Sequence, residues 1–193
     1  MAHENGDGRA MYATTHQGQI MPLTALIFPL LVLCIFVLVE VADRWLTVAM
    51  LENALKSATR SATVQQLDYR RLAEGKVFLA ASADCVNITT AAALGGPCAA
   101  VITTADSYLR INLQGVRRLA GESSATAIAA AADSVLWTVR PQGGGCRYSD
   151  GQTLPHEATP LICAEMRPTV EGFVLGGSYQ PRIIAADRLD VGQ

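Results

Sequence analysis

The sequence predicts an α+β protein in which a single N-terminal transmembrane helix continues as a long amphipathic helix, followed by a small exported domain with an antiparallel sheet. Three observations support this fold class. Residues 10–39 contain no Asp, Glu, Lys or Arg, residues 43–67 contain no Gly or Pro, and the strand-like segments lie in the C-terminal half. We therefore divide the chain into a tail (1–18), a transmembrane and extended helix (19–67) and an exported α+β domain (68–193).

The apolar segment 20–42 is long enough to cross a membrane. Its only polar residues are Thr24 and Glu40, and about 20 apolar helical residues span a hydrocarbon core of ~30 Å. The alternative is a cleaved signal peptide, which has a shorter apolar region, preceding positive charge and a small-residue cleavage site. Arg9 is the only Lys or Arg before the segment. We therefore favour an uncleaved span in the lipid bilayer, preceded by a polar tail that we expect to be disordered.

The helix is predicted to extend well beyond the span. From Trp45 onward apolar residues recur at steps of three or four, which is the spacing of one helix face. Pro29 lies within the apolar part and should kink the helix there. The outer part carries small residues that would let another helix or a sheet approach closely, namely Ala49, Ala54, Ala58 and Ala62.

Glu40 is the one charge close to the end of the apolar segment. A carboxylate at that depth is costly and usually has a partner. Asp43, Arg44 or an Arg of a neighbouring subunit could supply that partner. The alternative is that Glu40 already lies among the lipid headgroups and is simply solvated.

The exported domain is predicted to contain helical segments first and strands last. Residues 105–120 have helical periodicity, and the segment 85–98 contains Gly-Gly-Pro, which indicates a turn. Residues 134–140, 161–170 and 182–191 have the composition of strands and are separated by Gly-rich loops. This order favours a small antiparallel sheet with the long helix packed on one face.

Four of the five cysteines follow the span, which suggests two disulfides in an oxidising compartment. Of the three pairings allowed, the simplest joins sequence neighbours, Cys85 with Cys98 and Cys146 with Cys163. The alternative is four free thiols in a cytosolic domain. We favour the disulfides, and hence a cytoplasmic N-terminus and an exported C-terminal domain.

Composition and motifs argue against several classes of function. A formal net charge of -2 provides no electrostatic footprint for nucleic acid. The cysteine spacings and the three histidines do not form a metal-binding pattern, and we expect no cofactor. No catalytic motif is present, so we do not expect an enzyme.

The segment from about Gly18 to Ala62, roughly a quarter of the chain, resembles the N-terminus of the TadE/TadG-like pseudopilins of tight-adherence (Flp) pilus systems. Gly18 precedes the apolar helix, Pro29 follows eleven residues later, and Glu40 and Arg44 stand where the helix leaves the membrane. The resemblance implies a structural subunit in the bacterial inner membrane that contacts other pilin-like subunits through its helix. It also implies a candidate processing site between Gly18 and Gln19.

One position departs from that family. Its members usually carry Glu five residues after the processing glycine, whereas this chain has Leu23, so we do not expect cleavage after Gly18. A different class of function is also compatible with the sequence. In that alternative the chain is a single-span accessory subunit of a stationary membrane complex, with its helix filling a gap between other subunits.

Overall fold

The computed structural model describes residues 20–72, 74–174 and 176–188. The expected tail and the candidate processing site at Gly18 and Gln19 lie outside the described residues. The first element is one helix of 46 residues, α1 (Ile20–Gln65), which is about 70 Å long at 1.5 Å per residue. It continues through Pro29 and ends two residues before the predicted boundary at 67.

The described residues after α1 form a domain that we call the head. Its helices are α2 (Tyr69–Leu72), α3 (Thr90–Ala93), α4 (Ala99–Leu113) and α5 (Ser124–Asp133). Its strands are β1 (Cys85–Ile88), β2 (Leu136–Arg140), β3 (Leu161–Met166), β4 (Val170–Glu171), β5 (Ser178–Tyr179) and β6 (Ile183–Arg188). The molecule is therefore α+β, as predicted.

The main sheet is antiparallel with strand order β1-β2-β3-β6. Trp137 of β2 lies opposite Ala164 of β3, which in turn lies opposite Ala185 of β6. The predicted strand 161–170 ends early, at Met166, because Pro168 has no N–H to donate to a ladder. The chain resumes as β4, which pairs with β5 in a separate two-stranded ribbon.

Three helices and one strand differ from the sequence prediction. The helix expected at 105–120 is α4, which begins six residues earlier, at 99, and ends seven residues earlier, at 113. The segment 85–98, expected to be a turn, contains β1 and α3. Helix α5 was not predicted. Alanine-rich sequence has high helix propensity, and reciprocal hydrogen bonds between Ser123 and Thr126 cap its start.

The outer half of α1 is part of the head's core. Leu51, Leu55 and Ala58 are fully buried there together with Ile162 and other residues of the sheet. The opposite face of β3 packs against the loop 142–158, which contributes Cys146 and Tyr148 to a second apolar cluster.

Helix α4 runs antiparallel to α1. Its Thr104 accepts a hydrogen bond from Gln66 at the far end of α1, whereas Arg118, just beyond its end, pairs with Asp43. The end of α1 next to residue 66 is therefore the distal end of the head, and Asp43 marks the proximal end.

The head contains both expected disulfides, Cys85–Cys98 and Cys146–Cys163. The first joins β1 to the residue before α4, and the second ties the loop 142–158 to β3. Cys34, in the apolar half of α1, is an exposed free cysteine.

Candidate functional site at the helix–head junction

The most specific polar arrangement on α1 surrounds Glu40, where the apolar half of the helix ends. Although it is charged, Glu40 is only 3% exposed. Its Oε1 accepts a hydrogen bond of 2.7 Å from Arg44 Nε, one helical turn away. Its Oε2 accepts hydrogen bonds from the backbone N–H groups of Phe173, at 2.9 Å, and Val174, at 2.7 Å.

The loop between β4 and β5 therefore closes over the carboxylate. Gly172 makes this close approach feasible, because a Cβ on it would lie 2.8 Å from Glu40 Oε1 and 2.7 Å from the Gly176 carbonyl oxygen. Such distances are shorter than non-bonded contacts, so any larger residue would push the loop away from α1. The Gly172 N–H donates to the Gly177 carbonyl and closes the base of the loop.

A second contact between α1 and the head lies one turn further out. Arg118 Nε is 3.0 Å from Asp43 Oδ2, an ion-pair distance at which the N–H is not aligned for a hydrogen bond. The guanidinium of Arg118 also lies over the Phe173 ring, 4.0 Å from its centroid. Arg44 lies 4.8 Å from the centroid of the Tyr179 ring. Both arginines thus combine a carboxylate with an aromatic face.

Backbone hydrogen bonds attach the β4–β5 ribbon to the segment that follows α4. The Glu171 N–H donates to the Arg118 carbonyl, and the Ala120 N–H donates to the Thr169 carbonyl. Arg118 itself adopts a left-handed conformation with φ of 65°. We define the helix–head junction as Glu40, Asp43, Arg44, Arg118, Gly172, Phe173, Val174 and Tyr179.

The charged side chains of the junction pack around Tyr179 and shift its pKa. Burial raises the pKa of Tyr179 above its ordinary value, and Asp43 and Glu40 add to the rise, whereas Arg44 and Arg118 oppose it. Tyr179 is therefore neutral at physiological pH and serves as an aromatic surface for Arg44. Nothing in this arrangement positions a nucleophile beside a base.

The head contains a second buried polar cluster, around Glu165 of β3. This carboxylate is 4% exposed and accepts hydrogen bonds from Arg182 Nε at 2.9 Å and from the Ser149 N–H at 2.8 Å. Burial opposes its ionisation, but the hydrogen bonds from Arg182 and Ser149 outweigh that effect and lower the pKa of Glu165 to about 2. The cluster ties the loop 142–158 to the sheet, as the Cys146–Cys163 disulfide does.

The structure assigns partners within the chain to most of the predicted site residues. Glu40 pairs with Arg44, which was one of the partners expected, and its burial shows that it is not simply solvated. Ala54, Ala58 and Ala62 are at most 5% exposed in the chain's own core, so the small-residue face packs against the head and is not open to a helix of another subunit. Ala49 is partly buried, and Pro29 is exposed.

Sequence reasoning missed the head's side of the junction. Arg118, Phe173 and Tyr179 lie far from Glu40 along the chain, and two of the carboxylate's donors are backbone groups, which no residue type reveals. The available signal was the pattern Gly172-Phe-Val before Gly176-Gly177, an apolar segment between glycines.

The chain matches no protein-family model, and no match to it was found among curated proteins or solved structures. Within the described residues, one helix, α1, is long and apolar enough to cross a membrane. The same residues contain no group of three or more His, Cys, Asp or Glu side chains that could hold a metal ion.

Proposed function

We propose that this protein is a membrane-anchored, pseudopilin-like structural subunit of a tight-adherence pilus or a related secretion assembly. Its N-terminus is cytoplasmic and its head lies outside the bacterial inner membrane. The observation that carries the proposal is the continuity of α1, which runs from an exposed apolar half directly into the core of the head.

The exposed apolar surface of the N-terminal half of α1 is unfavourable in water. Its large side chains are exposed in the isolated chain, with Leu26 at 71%, Phe28 at 67% and Leu38 at 68%. An apolar surface of this extent is typical of membrane or protein contacts, and lipid together with neighbouring apolar helices would cover it.

The connection between helix and head supports a structural role. No linker separates them, because the outer half of the same helix supplies residues of the head's core, including Leu51 and Leu55. The contacts of Glu40 and Asp43 then hold the proximal end of the head against α1. A head attached in this way moves with its anchor, as a subunit that bears load or sets spacing in an assembly should.

The disulfides support the location of the head. Two cross-links in a domain of this size are typical of oxidising compartments, such as the bacterial periplasm and the cell surface. The apolar segment would then enter the membrane with the short tail on the cytoplasmic side.

Site-specific photo-crosslinking in the native host tests this function. A photoreactive amino acid replaces Leu33 or Leu38, which are 62% and 68% exposed on the apolar half. Leu94, which is 67% exposed on the head, provides the matched control. We expect the two helix positions to form adducts with other single-span, pilin-like proteins, identified by mass spectrometry.

Two outcomes would contradict the proposal. Adducts with subunits of a stationary membrane complex would favour the accessory-subunit alternative. Protein adducts from the Leu94 position, with neither lipid nor protein adducts from Leu33 and Leu38, would show that the head binds the partner and that the apolar half does not lie in a membrane.

A further inference from the structure

We propose that residues 172–174, in the loop that follows β4, form a foot that rests in the lipid headgroup layer, with Phe173 inserted at the boundary with the acyl chains. This inference rests on the proposed membrane anchoring and adds a second membrane contact, made by the head. The contacts of Glu40 carry it, because they place this loop at a defined depth.

The depth follows from the length of the apolar segment. Residues 20–39 are the apolar run before the first charge, and 20 helical residues rise about 30 Å, which matches the hydrocarbon core. Glu40 therefore lies at the boundary of that core. Since helical side chains tilt toward the N-terminus, its carboxylate and the two loop amides bound to it lie on the membrane side of its own backbone.

The side chains of the foot suit that depth. Phe173 is 52% exposed although it is apolar, and the Arg118 guanidinium covers one face of its ring. An aromatic ring beside an arginine is amphipathic, since the ring can enter the acyl boundary while the guanidinium stays at the level of the headgroups. Interfacial aromatic residues are common at this level of membrane proteins.

Trp45 provides a second aromatic contact on another side of the helix. It is 73% exposed and lies five residues beyond Glu40, which is a rotation of about 140° at 3.6 residues per turn. The loop and Trp45 would therefore touch the interface on different sides of α1. Two such contacts would limit the tilt of the head relative to the membrane.

Lipid fits this surface better than a protein partner does. The carboxylates of Glu40 and Asp43 and the guanidinium groups of Arg44 and Arg118 already pair with one another, so the foot offers a neighbouring subunit no unpaired charge among these four. Among the residues of the foot that the structure describes, the exposed apolar part consists mainly of the Phe173 ring, which is a small area for a protein interface.

Depth-dependent fluorescence quenching of the full chain in vesicles tests the proposal. The vesicles contain phosphatidylcholine and phosphatidylglycerol, with or without bromine on the acyl chains near the headgroup. The probe is the double variant Trp45→Phe/Phe173→Trp, read against Trp45→Phe alone. Trp137 is fully buried in the head and contributes a constant background. Leu94→Trp in the same background is the control, because Leu94 precedes α4 at the distal end of the head.

We expect brominated lipid to remove most of the emission added at position 173, with little effect of aqueous acrylamide. The Leu94→Trp control should behave in the opposite way. If acrylamide quenches the probe at position 173 and brominated lipid does not, the proposed lipid contact of the foot is wrong. A probe shielded from both quenchers would indicate a protein contact and would also overturn the proposal.

Native Trp45 separates failure of the foot from failure of the anchor. If brominated lipid quenches Trp45 but not the probe at position 173, α1 is anchored in the membrane but the proposed lipid contact of the foot is wrong. If neither position is quenched by lipid, the membrane anchoring itself is wrong. A second experiment uses the unaltered chain and so does not depend on any variant. Photolabelling by a lipid with a diazirine near the headgroup should mark Phe173. A chain labelled at Trp45 but not at Phe173 would contradict the proposed lipid contact of the foot.

Discussion

Glu40 shows how one residue can join two distant parts of the chain. Its carboxylate accepts hydrogen bonds from Arg44 on its own helix and from two amides more than 130 positions later. A buried carboxylate retains its charge at low cost only when its lone pairs are satisfied. Loss of that charge should therefore weaken the contact between the loop and α1 more than it weakens the helix.

We expect Glu40→Gln to loosen the loop over α1. The amide retains one acceptor oxygen but loses its charge, which should cost about 1–3 kcal/mol. Hydrogen exchange at the Phe173 and Val174 amides should then be faster by roughly one to two orders of magnitude, if exchange follows local opening.

Glu52→Gln is the matched control. Glu52 also pairs with a cation four residues later, Lys56, but both side chains are about half exposed, and such pairs contribute about 0.3–0.5 kcal/mol. Equal exchange at the two loop amides in both variants would contradict the role assigned to Glu40.

Glu165 should make the head's stability depend on pH. Its pKa is about 2 in the folded chain, against an ordinary value of 4.5. Because the folded pKa is the lower one, the associated stability is present above pH 4.5 and is lost as the pH falls toward 2. A shift of this size corresponds to roughly 3 kcal/mol.

Unfolding by denaturant in detergent, followed by Trp137 fluorescence, measures this dependence. We expect Glu165→Gln to have a lower free energy of unfolding than the native chain near neutral pH. As the pH falls, the free energy of unfolding should decrease less in this variant than in the native chain. Glu122→Gln, at an exposed position, is the control. An unchanged pH profile in Glu165→Gln would refute the assignment.

At the scale of elements, the small-residue face of α1 belongs to the head. Ala58 is 0% exposed and packs in the core that α1, α4 and the sheet share. Small side chains allow two elements to approach closely, but they do not determine whether the second element belongs to the same chain. Sequence analysis therefore identified small residues on this face and left open whether they pack against the head's own sheet or against another subunit.

We expect Ala58→Leu to destabilise the head itself. Extra methylene groups in a packed core typically cost about 1–3 kcal/mol, which should lower the denaturant midpoint of the purified chain. Ala100→Leu, at an exposed position on α4, should have little effect. If Ala58→Leu left the midpoint unchanged and disrupted only association with other subunits, the core position assigned to Ala58 would be wrong.

At the scale of the whole molecule, the two disulfides add covalent cross-links to the packed core of the head. They close loops with sequence separations of 13 and 17 residues, and loops of this size correspond to about 3 kcal/mol each in the chain-entropy model. This contribution adds to that of a core in which buried alanines such as Ala58 and Ala132 lie beside large side chains such as Trp137 and Leu109.

We expect the denatured, unreduced protein to carry one alkylatable thiol. That thiol is Cys34, since the other four cysteines are bonded. Reduction should raise the number to five, the total in the sequence. Mass spectrometry of the alkylated chain provides this measurement, and five modified cysteines before reduction would refute both bonds and remove the argument for an oxidising compartment.

The sequence by itself determined the features that depend on local pattern. Apolar residues at helical spacing, together with the absence of Gly and Pro from residue 43 to residue 67, predicted the end of α1 to within two residues. Segments of strand-like composition between Gly-rich loops predicted β2, β3 and β6. The even number of cysteines after the apolar segment predicted two bonds, and proximity along the chain favoured the pairing that is present.

Only the tertiary structure decided where those elements meet. The partners of Glu40 include backbone amides of Phe173 and Val174, and every residue type except proline carries such a donor. The face of Ala54, Ala58 and Ala62 could have served another subunit until the fold placed α4 and the sheet against it. Helical and strand periods reflect local geometry, whereas contacts between distant segments depend on packing that no local pattern encodes.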